Sequence, residues 1–288
     1  MPVGRNKTVF GAIILLLVFN ILSWRVLYDF YQHEFLEVNF FDVGQGDAIF
    51  IETPQQHQIL IDGGPGAVIL ERLSRVMPFW DRTIDLVILT HPESDHLRGL
   101  LEVLKNYKVE NVLWTGIVRD TAEYGEWQDL IEKEGANIFI AKAGEKIISG
   151  STTLKILHPL DALEGKEIKD SNDTSVVVRL VFGGNSFLFL GDVYKANERE
   201  MAEGEINYDV LKIAHNGSKT STDPEFIKRV RPKVAVISVG KDNKYGHPHQ
   251  ETLDTLGKYG IDILRTDING NIKIISNGNN YGISTVQN

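Results

Sequence analysis

The chain has 288 residues, 42% of them hydrophobic and 24% charged, which is typical of a globular protein with a core large enough for an enzyme. It contains no cysteine, so disulfides, thiolate metal sites and a cysteine nucleophile are excluded. The formal net charge of −9 excludes a chain that binds nucleic acid through overall positive charge, although it leaves room for a local basic patch.

The first predicted element is an apolar helix near the N-terminus. Residues Val9 to Trp24 are apolar except for two polar positions, and Arg5 and Lys7 precede them. A bilayer core needs roughly 20 helical residues, a length that the helix reaches if it continues to residue 28. We therefore predict a transmembrane anchor or uncleaved signal over residues 9–28.

The flanking charges predict the orientation of this helix. The positive-inside rule places residues 1–8 in the cytoplasm and everything after the helix outside, on a single-pass membrane protein. A cleaved secretory signal is the competing interpretation, in which case the domain is secreted, but no A-x-A-like cleavage site follows. Residues 29–35 are predicted to be a short tether, and residues 36–288 one catalytic-sized domain.

Short, often β-branched apolar runs follow, separated by glycine-rich turns, and they predict strands with helical patterns between them. The predicted strands are Leu36–Val43, Ala48–Glu52, Gln58–Asp62, Ile84–Thr90, Thr153–Leu157, Ser175–Phe182, Phe187–Leu190, Val210–Ala214, Val234–Val239 and Asn271–Ile275. The predicted helices are Ala67–Val76, Arg98–Asn106, Tyr124–Glu134, Val193–Glu203, Pro224–Arg231 and His249–Tyr259. This order predicts an α/β fold in which helices cover two packed sheets.

One loop between a predicted strand and a predicted helix is rich in metal-binding residue types. It holds four potential ligands, His91, Glu93, Asp95 and His96, and two of the eight histidines of the chain. Imidazole and carboxylate suit a divalent transition metal. The alternative is a solvated polar loop in which Asp95 caps the helix.

Further acidic and histidine residues share this position directly after an apolar strand. Asp62, Asp192 and His215 each end such a run, and His247 lies in the loop after the strand Val234–Val239. Each residue alone is weak evidence, because an aspartate after a strand commonly stabilises a turn. Their shared context predicts that they converge along one edge of a sheet as a rigid metal site.

These motifs, in this order, resemble the metallo-β-lactamase superfamily, and within it the metallo-hydrolase domain of ComEC-type DNA-uptake proteins. The stretches that carry the resemblance are Phe41–Ala48, Leu60–Gly64, Leu89–Leu100, Asn172–Ser175, Phe189–Asp192 and Leu211–Ser218. The resemblance implies a four-layer αβ/βα sandwich, preceded here by one transmembrane helix, with the site at the edge between its halves.

The resemblance also implies roles for individual residues. His91, Asp95 and His96 match the family's ligand loop, Asp192 its bridging carboxylate, and His215 its late histidine ligand. Two further residues are placed with the catalytic group: Asp62 matches a carboxylate that orients a ligand histidine, and His247 resembles a His-Pro element that contacts substrate or metal.

The chain departs from the family pattern at three places. Glu93 stands where the general motif H-x-H-x-D-H has its second histidine, as is common in the ComEC-like branch. Asn216 follows His215 where that branch often has a second histidine. The mid-chain ligand histidine has no clear match, and His158 and Asn172 are the two candidates for that corner.

The ligand types bear on the choice of metal. Three hard carboxylates, those of Glu93, Asp95 and Asp192, move the preference from zinc towards manganese, iron or magnesium, with one or two ions bound. Hydroxide generated at the metal would attack the scissile bond, with Asp95 accepting its proton. Hydrolysis is the predicted reaction class.

The substrate prediction is a phosphodiester, with single-stranded DNA as the leading candidate. A basic bias runs from Lys212 to Lys244, and Asn172, Ser218 and Lys219 are the predicted substrate contacts. Transport of DNA would require a separate channel partner. The alternatives are a cell-wall or lipid head-group phosphodiesterase that resembles choline-phosphate esterases, and a non-catalytic binding module with a degenerate site; β-lactam hydrolysis is disfavoured by the missing histidines.

Overall fold

The computed structural model describes residues 3–32, 35–201 and 207–287, with only the backbone described for residues 3–8 and 28–32. The chain divides into two compact units, Met1–Phe35 and Leu36–Asn288.

The first unit is a single helix, α1, which spans Val3–Gln32. Its segment Val9–Leu27 has a mean hydropathy of 2.1 and is long and apolar enough to cross a membrane, a test that a signal sequence also passes. The helix runs into residues 29–32 of the predicted tether. No glycine or proline stands between residues 12 and 35 to end it earlier.

The second unit contains the remaining elements that the structure describes. Its helices are α2 Val68–Val76, α3 Ser94–Asn106, α4 Ala122–Glu134, α5 Lys195–Met201, α6 Pro224–Val230, α7 Gln250–Lys258 and α8 Thr266–Asn269. Its strands are β1 Leu36–Phe40, β2 Ile49–Glu52, β3 Gln58–Ile61, β4 Thr83–Ile88, β5 Lys108–Trp114, β6 Asn137–Ile140, β7 Lys146–Ser149, β8 Thr152–His158, β9 Val177–Phe182, β10 Asn185–Phe189, β11 Val210–Lys212, β12 Val234–Ile237, β13 Asp262–Arg265, β14 Asn271–Ser276 and β15 Tyr281–Val286.

These strands form two mixed sheets. The first has the order β15-β14-β1-β2-β3-β4-β5-β6, and the second has the order β13-β12-β11-β10-β9-β8-β7. Their inner faces share one apolar core in which, for example, the rings of Phe40 and Phe189 lie 6.1 Å apart. Helices α2 to α4 cover the outer face of the first sheet, and α6 and α7 cover that of the second. The predicted four-layer αβ/βα sandwich is confirmed.

The strand directions bring several strand ends to one edge of this sandwich. Strands β3 and β4 are parallel neighbours in the first sheet, as are β10 and β11 in the second. We call the edge at which these four strands end, at Ile61, Ile88, Phe189 and Lys212, the carboxyl edge, and the opposite one the amino edge. Loops that follow the four strands therefore meet at the carboxyl edge.

Helix α3 is fixed against this edge by a close contact between two glycines. A Cβ atom on Gly99 would lie 1.7 Å from the carbonyl oxygen of Gly63, so no larger residue fits. Two backbone hydrogen bonds, from Gly63 N to His96 O and from Gly99 N to Gly64 O, both 2.9 Å, complete the contact. The first turn of α3 is thereby set beside the end of β3.

The structure corrects the predicted start of this helix. α3 begins at Ser94 and not at Arg98, with Glu93 extended at the N-cap position and making no side-chain cap bond. Acidic residues are favourable in the first turn because of the helix dipole, and Asp95 occupies that turn. Asp95 and His96 therefore belong to a regular helix, which holds both more rigidly than a loop does, and Asp95 is not the cap.

Candidate metal centre

Three side chains that follow different strands converge at the carboxyl edge. His91 comes from the loop after β4, His96 from the first turn of α3, and Asp192 from the loop after β10. Their potential ligand atoms all lie within 4.8 Å of one another, and all three residues are buried. Both sheets therefore contribute to one cluster.

The Asp192 carboxylate is the centre of this cluster. It lies 3.5 Å from Nε2 of His96 and 3.9 Å from Nε2 of both His91 and His215. These distances are too long for hydrogen bonds. They are close to the separation of roughly 3.4 Å between ligand atoms arranged tetrahedrally about 2.1 Å from one ion.

Hydrogen bonds behind the cluster fix which ring nitrogen faces its centre. His96 donates from Nδ1 to Asp62 Oδ2 at 2.8 Å, and Thr90 donates its hydroxyl to the same oxygen at 2.7 Å. Because the Thr90 proton is committed to Asp62, its oxygen accepts from Nδ1 of His91 at 3.0 Å. Both histidines therefore present Nε2, and Asp62 positions them from behind the cluster.

The atoms that face the centre are left without partners. Nε2 of His91, Nε2 of His96 and Oδ1 of Asp192 are buried and have no hydrogen-bond partner within the part of the chain that the structure describes. Buried polar atoms are rarely left unsatisfied in native proteins. Three such atoms, of ligand type and pointing together, fit a divalent metal ion.

The electrostatics of the cluster favour the charge state that a metal requires at two of its three residues, His91 and Asp192. Burial, aided by the nearby His96, lowers the pKa of His91 well below its ordinary value. Burial opposes ionisation of Asp192, but the adjacent histidines outweigh it and lower the pKa of this carboxyl. Burial likewise opposes the charged form of His96, yet the Asp192 and Asp62 carboxylates raise its pKa well above the ordinary value. A neutral His91 and an ionised Asp192 are ready to bind a cation.

Two residues of the cluster, His91 and Asp192, form part of the wall of an open cavity of about 350 Å³ at the carboxyl edge. Of the predicted site residues, His91, Glu93, Asp95, Asn172, Asp192, His215 and His247 line it. Ser218 and Lys219 lie outside the lining: the Ser218 hydroxyl pairs with that of Thr220, and the Lys219 amide donates to His249. Asn172 thus reaches the site, whereas the predicted contacts at Ser218 and Lys219 are not brought to it.

Glu93 stands in the cavity wall but outside the metal-ligand cluster. Its Oε1 accepts from the Arg119 guanidinium at 2.9 Å and from the Ser171 hydroxyl. Arg119 in turn donates to the carbonyl oxygens of Ile168 and Lys169. The structure therefore uses Glu93 to hold the segment before Asn172 against the ligand loop, and the arrangement gives no support to its predicted role as a metal ligand.

His158 is held away from the cluster. Its Nδ1 donates to the carbonyl oxygen of Ser175 at 2.9 Å, and it lines a separate cavity with Asp173 and Asn197. Of the two candidates for the mid-chain corner, Asn172 is the one that lines the site.

A buried ion pair lies beside the cluster, and the sequence did not indicate it. Asp47 pairs with the ammonium of Lys212, and the two side chains are 2% and 0% exposed. Burial raises the pKa of Asp47 to about 6 although Lys212 opposes the shift. A second group of potential ligand atoms, from Asp47, Asp62 and His96, also lies within 4.8 Å. The lysine already supplies a cation to Asp47.

Two further cations of the predicted basic bias form ion pairs at the surface. Lys228 lies 3.5 Å from Glu225, and Lys233 lies 2.7 Å from Asp209. These two lysines are therefore part of a solvated, locally paired surface. Near the cavity, Lys244 remains exposed and lies 5.3 Å from the ring centroid of Tyr245.

Comparison with known proteins agrees with this geometry. The sequence profile of the Metallo-beta-lactamase superfamily matches residues 41–241, which include the whole cluster. The chain belongs to the metallo-beta-lactamase superfamily. The resemblance predicted from the motifs is confirmed, and so is the broad prediction of a metal-dependent hydrolase.

Two curated relatives identify the branch of this superfamily. The chain is 35% identical to the ComE operon protein 3 of Bacillus subtilis over 257 residues, which cover 82% of this chain and 32% of that protein. It is 30% identical to the Competence protein ComA of Neisseria gonorrhoeae over 236 residues, which cover 81% and 31%. It spans about a third of the length of these relatives, which are ComEC-like competence proteins.

A solved structure of the superfamily shows the same fold. The chain is similar to the metallo-beta-lactamase fold protein YhfI of Bacillus subtilis with a TM-score of 0.55 at 13% identity, over 80% of this chain and 96% of that one. At this level of identity the likeness concerns the fold alone.

Sequence reasoning missed several residues of this metallo-beta-lactamase site, among them three with defined positions. Gln45 and Tyr245 line the cavity, and Gln45 donates to the buried amide oxygen of Asn216 at 2.6 Å. Asn216 also donates to the carbonyl oxygen of Ser238 at 2.9 Å. Asn216, which stands where the branch often has a histidine, therefore connects three loops of the carboxyl edge. Thr90, the third missed residue, gave only the weak signal of lying beside His91.

Proposed function

We propose that this chain is a membrane-anchored phosphodiesterase that cleaves single-stranded DNA outside the cytoplasm. The observation that carries the proposal is the cluster of His91, His96 and Asp192, whose inward-facing atoms are buried and unpartnered. These residues, joined by His215 at 3.9 Å from Asp192, would hold the metal. Two or three imidazoles and a carboxylate suit Zn²⁺ or Mn²⁺.

A divalent ion bound there supplies Lewis-acid chemistry and makes hydroxide available near neutral pH. The residues of the chain do the remaining work. Asp62 and Thr90 hold the two histidine rings in place. Asp95, which is half-buried in the cavity wall, would accept a proton. His247 stands across the cavity, where burial lowers its pKa to about 4, so the ring is neutral at pH 7 and accepts hydrogen bonds.

The residues at the mouth of the cavity favour a single-stranded nucleic acid as the substrate. Tyr245 is 53% exposed, its ring stacks on that of His247 with centroids 5.6 Å apart, and the Lys244 ammonium lies beside it. Exposed aromatic rings next to cations bind the bases and phosphates of single strands. One relative, named for competence, is consistent with a role in DNA uptake.

Metal binding and turnover test this proposal. Asp192→Asn removes the central carboxylate, and Asp254→Asn makes the same change at an exposed position of α7. We expect the wild type and the α7 control to bind metal and hydrolyse bis-p-nitrophenyl phosphate with Mn²⁺ or Zn²⁺, and Asp192→Asn to lose both. Absence of bound metal and turnover in the wild type would indicate a binding module instead.

The substrate and the orientation need separate assays. A labelled single strand competes with a choline-phosphate ester in the first, and preference for the ester would replace DNA by a head-group substrate. An alkaline phosphatase fused to the C-terminus tests the second. This reporter is expected to be active, because the positive charges of Arg5 and Lys7 favour a cytoplasmic N-terminus. Activity confined to a cytoplasmic reporter would refute the orientation.

A further inference from the structure

An exposed aromatic pair lies on the turn between α2 and β4. The side chains of Phe79 and Trp80 are 82% and 68% exposed, and their rings meet edge to face with centroids 4.8 Å apart. Large apolar side chains that are grouped and this exposed commonly mark an interaction surface.

The turn itself is well held. The amide of Asp81 donates to the carbonyl of Pro78 at 3.0 Å, and the Asp81 carboxylate accepts from the Thr83 amide at 3.1 Å. The same carboxylate accepts from the side chain of Gln58 at 2.7 Å. The aromatic pair is therefore displayed from a fixed turn, at no large cost in conformational entropy on binding.

The topology places this turn at the amino edge. The turn leads into the start of β4, at Thr83, whereas the other end of β4 leads to His91 and the cavity. Strand β1 is antiparallel to β2, and β2 is antiparallel to β3, so β1 runs parallel to β3 and β4. Leu36, where the domain begins, therefore lies at the amino edge too, three strands from β4 and so roughly 15 Å away.

The chain before Leu36 connects this edge to the apolar helix. Eight residues separate Leu27, the end of the candidate membrane span, from Leu36. Even fully extended, eight residues reach only about 28 Å. If the helix spans a bilayer, this length limits how far Leu36, at the amino edge, can lie from the membrane.

We propose that Phe79 and Trp80 insert into the interface of the lipid bilayer and dock the domain with its cavity facing away from the membrane. Aromatic rings are enriched at the membrane interface, and the exposed cation Arg82, two residues after the pair, suits anionic head groups. The inference rests on the membrane anchor of the proposed function. It adds the docking surface and the direction in which the cavity opens.

The absence of cysteine gives a clean experiment on the full chain. Phe79→Cys is labelled with the dye NBD after reconstitution into vesicles of phosphatidylcholine and phosphatidylglycerol. The matched control is Leu160→Cys, an exposed apolar residue just after β8 at the carboxyl edge. We expect blue-shifted NBD emission at position 79 and quenching by nitroxide-labelled lipids several-fold stronger than at position 160.

The outcomes separate the docking surface from the anchor. If the protein floats with the vesicles but positions 79 and 160 are quenched equally, the docking proposal is wrong and the anchor stands. A blue shift at position 79 without lipid quenching indicates a protein contact and also overturns it. If the protein does not float with the vesicles, both the anchor and the docking surface are wrong.

Discussion

Lys212→Met tests whether the buried ion pair beside the metal cluster stabilises the fold. Lys212 is fully buried, and Asp47 is its charge partner. Removing one member of such a pair leaves an uncompensated buried charge, which costs about 3–5 kcal/mol. That is a large part of the 5–15 kcal/mol that holds a typical domain together.

The pH dependence makes this prediction specific. Burial already raises the pKa of Asp47 from 3.8 to about 6 with the ammonium present, and loss of the ammonium raises it further. The folded variant then binds a proton that the unfolded chain releases, so its stability falls as pH rises from about 4 through the folded pKa. The cost of Lys212→Met is therefore expected to be full at pH 7 and markedly smaller at pH 5.

Urea denaturation of the full chain in detergent, followed by the fluorescence of buried Trp114 and Trp127, measures this cost. The double variant Asp47→Asn/Lys212→Met removes both charges and keeps a side chain that can bond Asn216, so it should recover most of the loss. A cost below about 1 kcal/mol at pH 7, or one that is unchanged at pH 5, would refute the reasoning.

Three further predictions concern the buried residues Asp62 and Glu198 and the close glycine contact at Gly99. Asp62→Asn weakens the hydrogen bond that orients the His96 ring, so metal affinity measured by competition with a chelator should fall by about 10–100-fold. The circular dichroism spectrum should show that the secondary structure is retained. Gly99→Ala should lower the free energy of unfolding in urea by about 1–3 kcal/mol, because the new Cβ would lie 1.7 Å from a backbone oxygen. The control Gly125→Ala adds a Cβ in open space on α4 and should raise the free energy of unfolding by up to about 1 kcal/mol. Equal effects of the two substitutions would contradict the packing argument. Burial raises the pKa of Glu198 from 4.5 to about 7, so the folded chain holds a proton that the unfolded chain releases, and this group lowers stability by up to about 3 kcal/mol as pH rises from 4.5 to 7. Glu198→Gln should remove that part of the slope in urea titrations at several pH values, and an unchanged slope would show that the carboxyl does not titrate there.

The sequence predicted the strand-end residues of the site because their positions follow from local pattern. An apolar run that ends in a histidine or an aspartate indicates where the residue lies in a sheet, and parallel neighbours bring such ends together. His91 and Asp192 were placed in this way. The superfamily motif then supplied their roles.

The ion pairs around the site were not predicted, because each joins residues that are far apart in the chain. Asp47 and Lys212 are separated by 165 positions, and a lysine near other cations was interpreted as part of a basic surface when it is buried. Glu93 was interpreted as a ligand from its spacing, but Arg119, 26 positions away, takes its carboxylate. Charge neutralisation inside a protein is decided by three-dimensional neighbours.

Five strands were also missed, for reasons that differ from one to the next. β6 and β7 are four-residue edge strands without the alternation of a half-buried strand, and β15 contains a glycine and is mostly exposed. β5 directly follows α3 and starts with charged residues, and β13 is short. Each is stabilised by pairing with a neighbour more than by its own sequence.

Because the residues of the cluster come from both sheets, an ion bound there would cross-link the two halves of the sandwich. His91 and His96 belong to the first half and Asp192 and His215 to the second, so their mutual distances depend on how the sheets pack across the core, as at the contact of Phe40 with Phe189. Binding to the native arrangement alone adds about 4 kcal/mol of stability when free metal exceeds its dissociation constant 1,000-fold. Metal affinity therefore depends on core packing. A truncation in the core such as Phe40→Leu should lower metal affinity, although residue 40 is not one of the metal-binding residues.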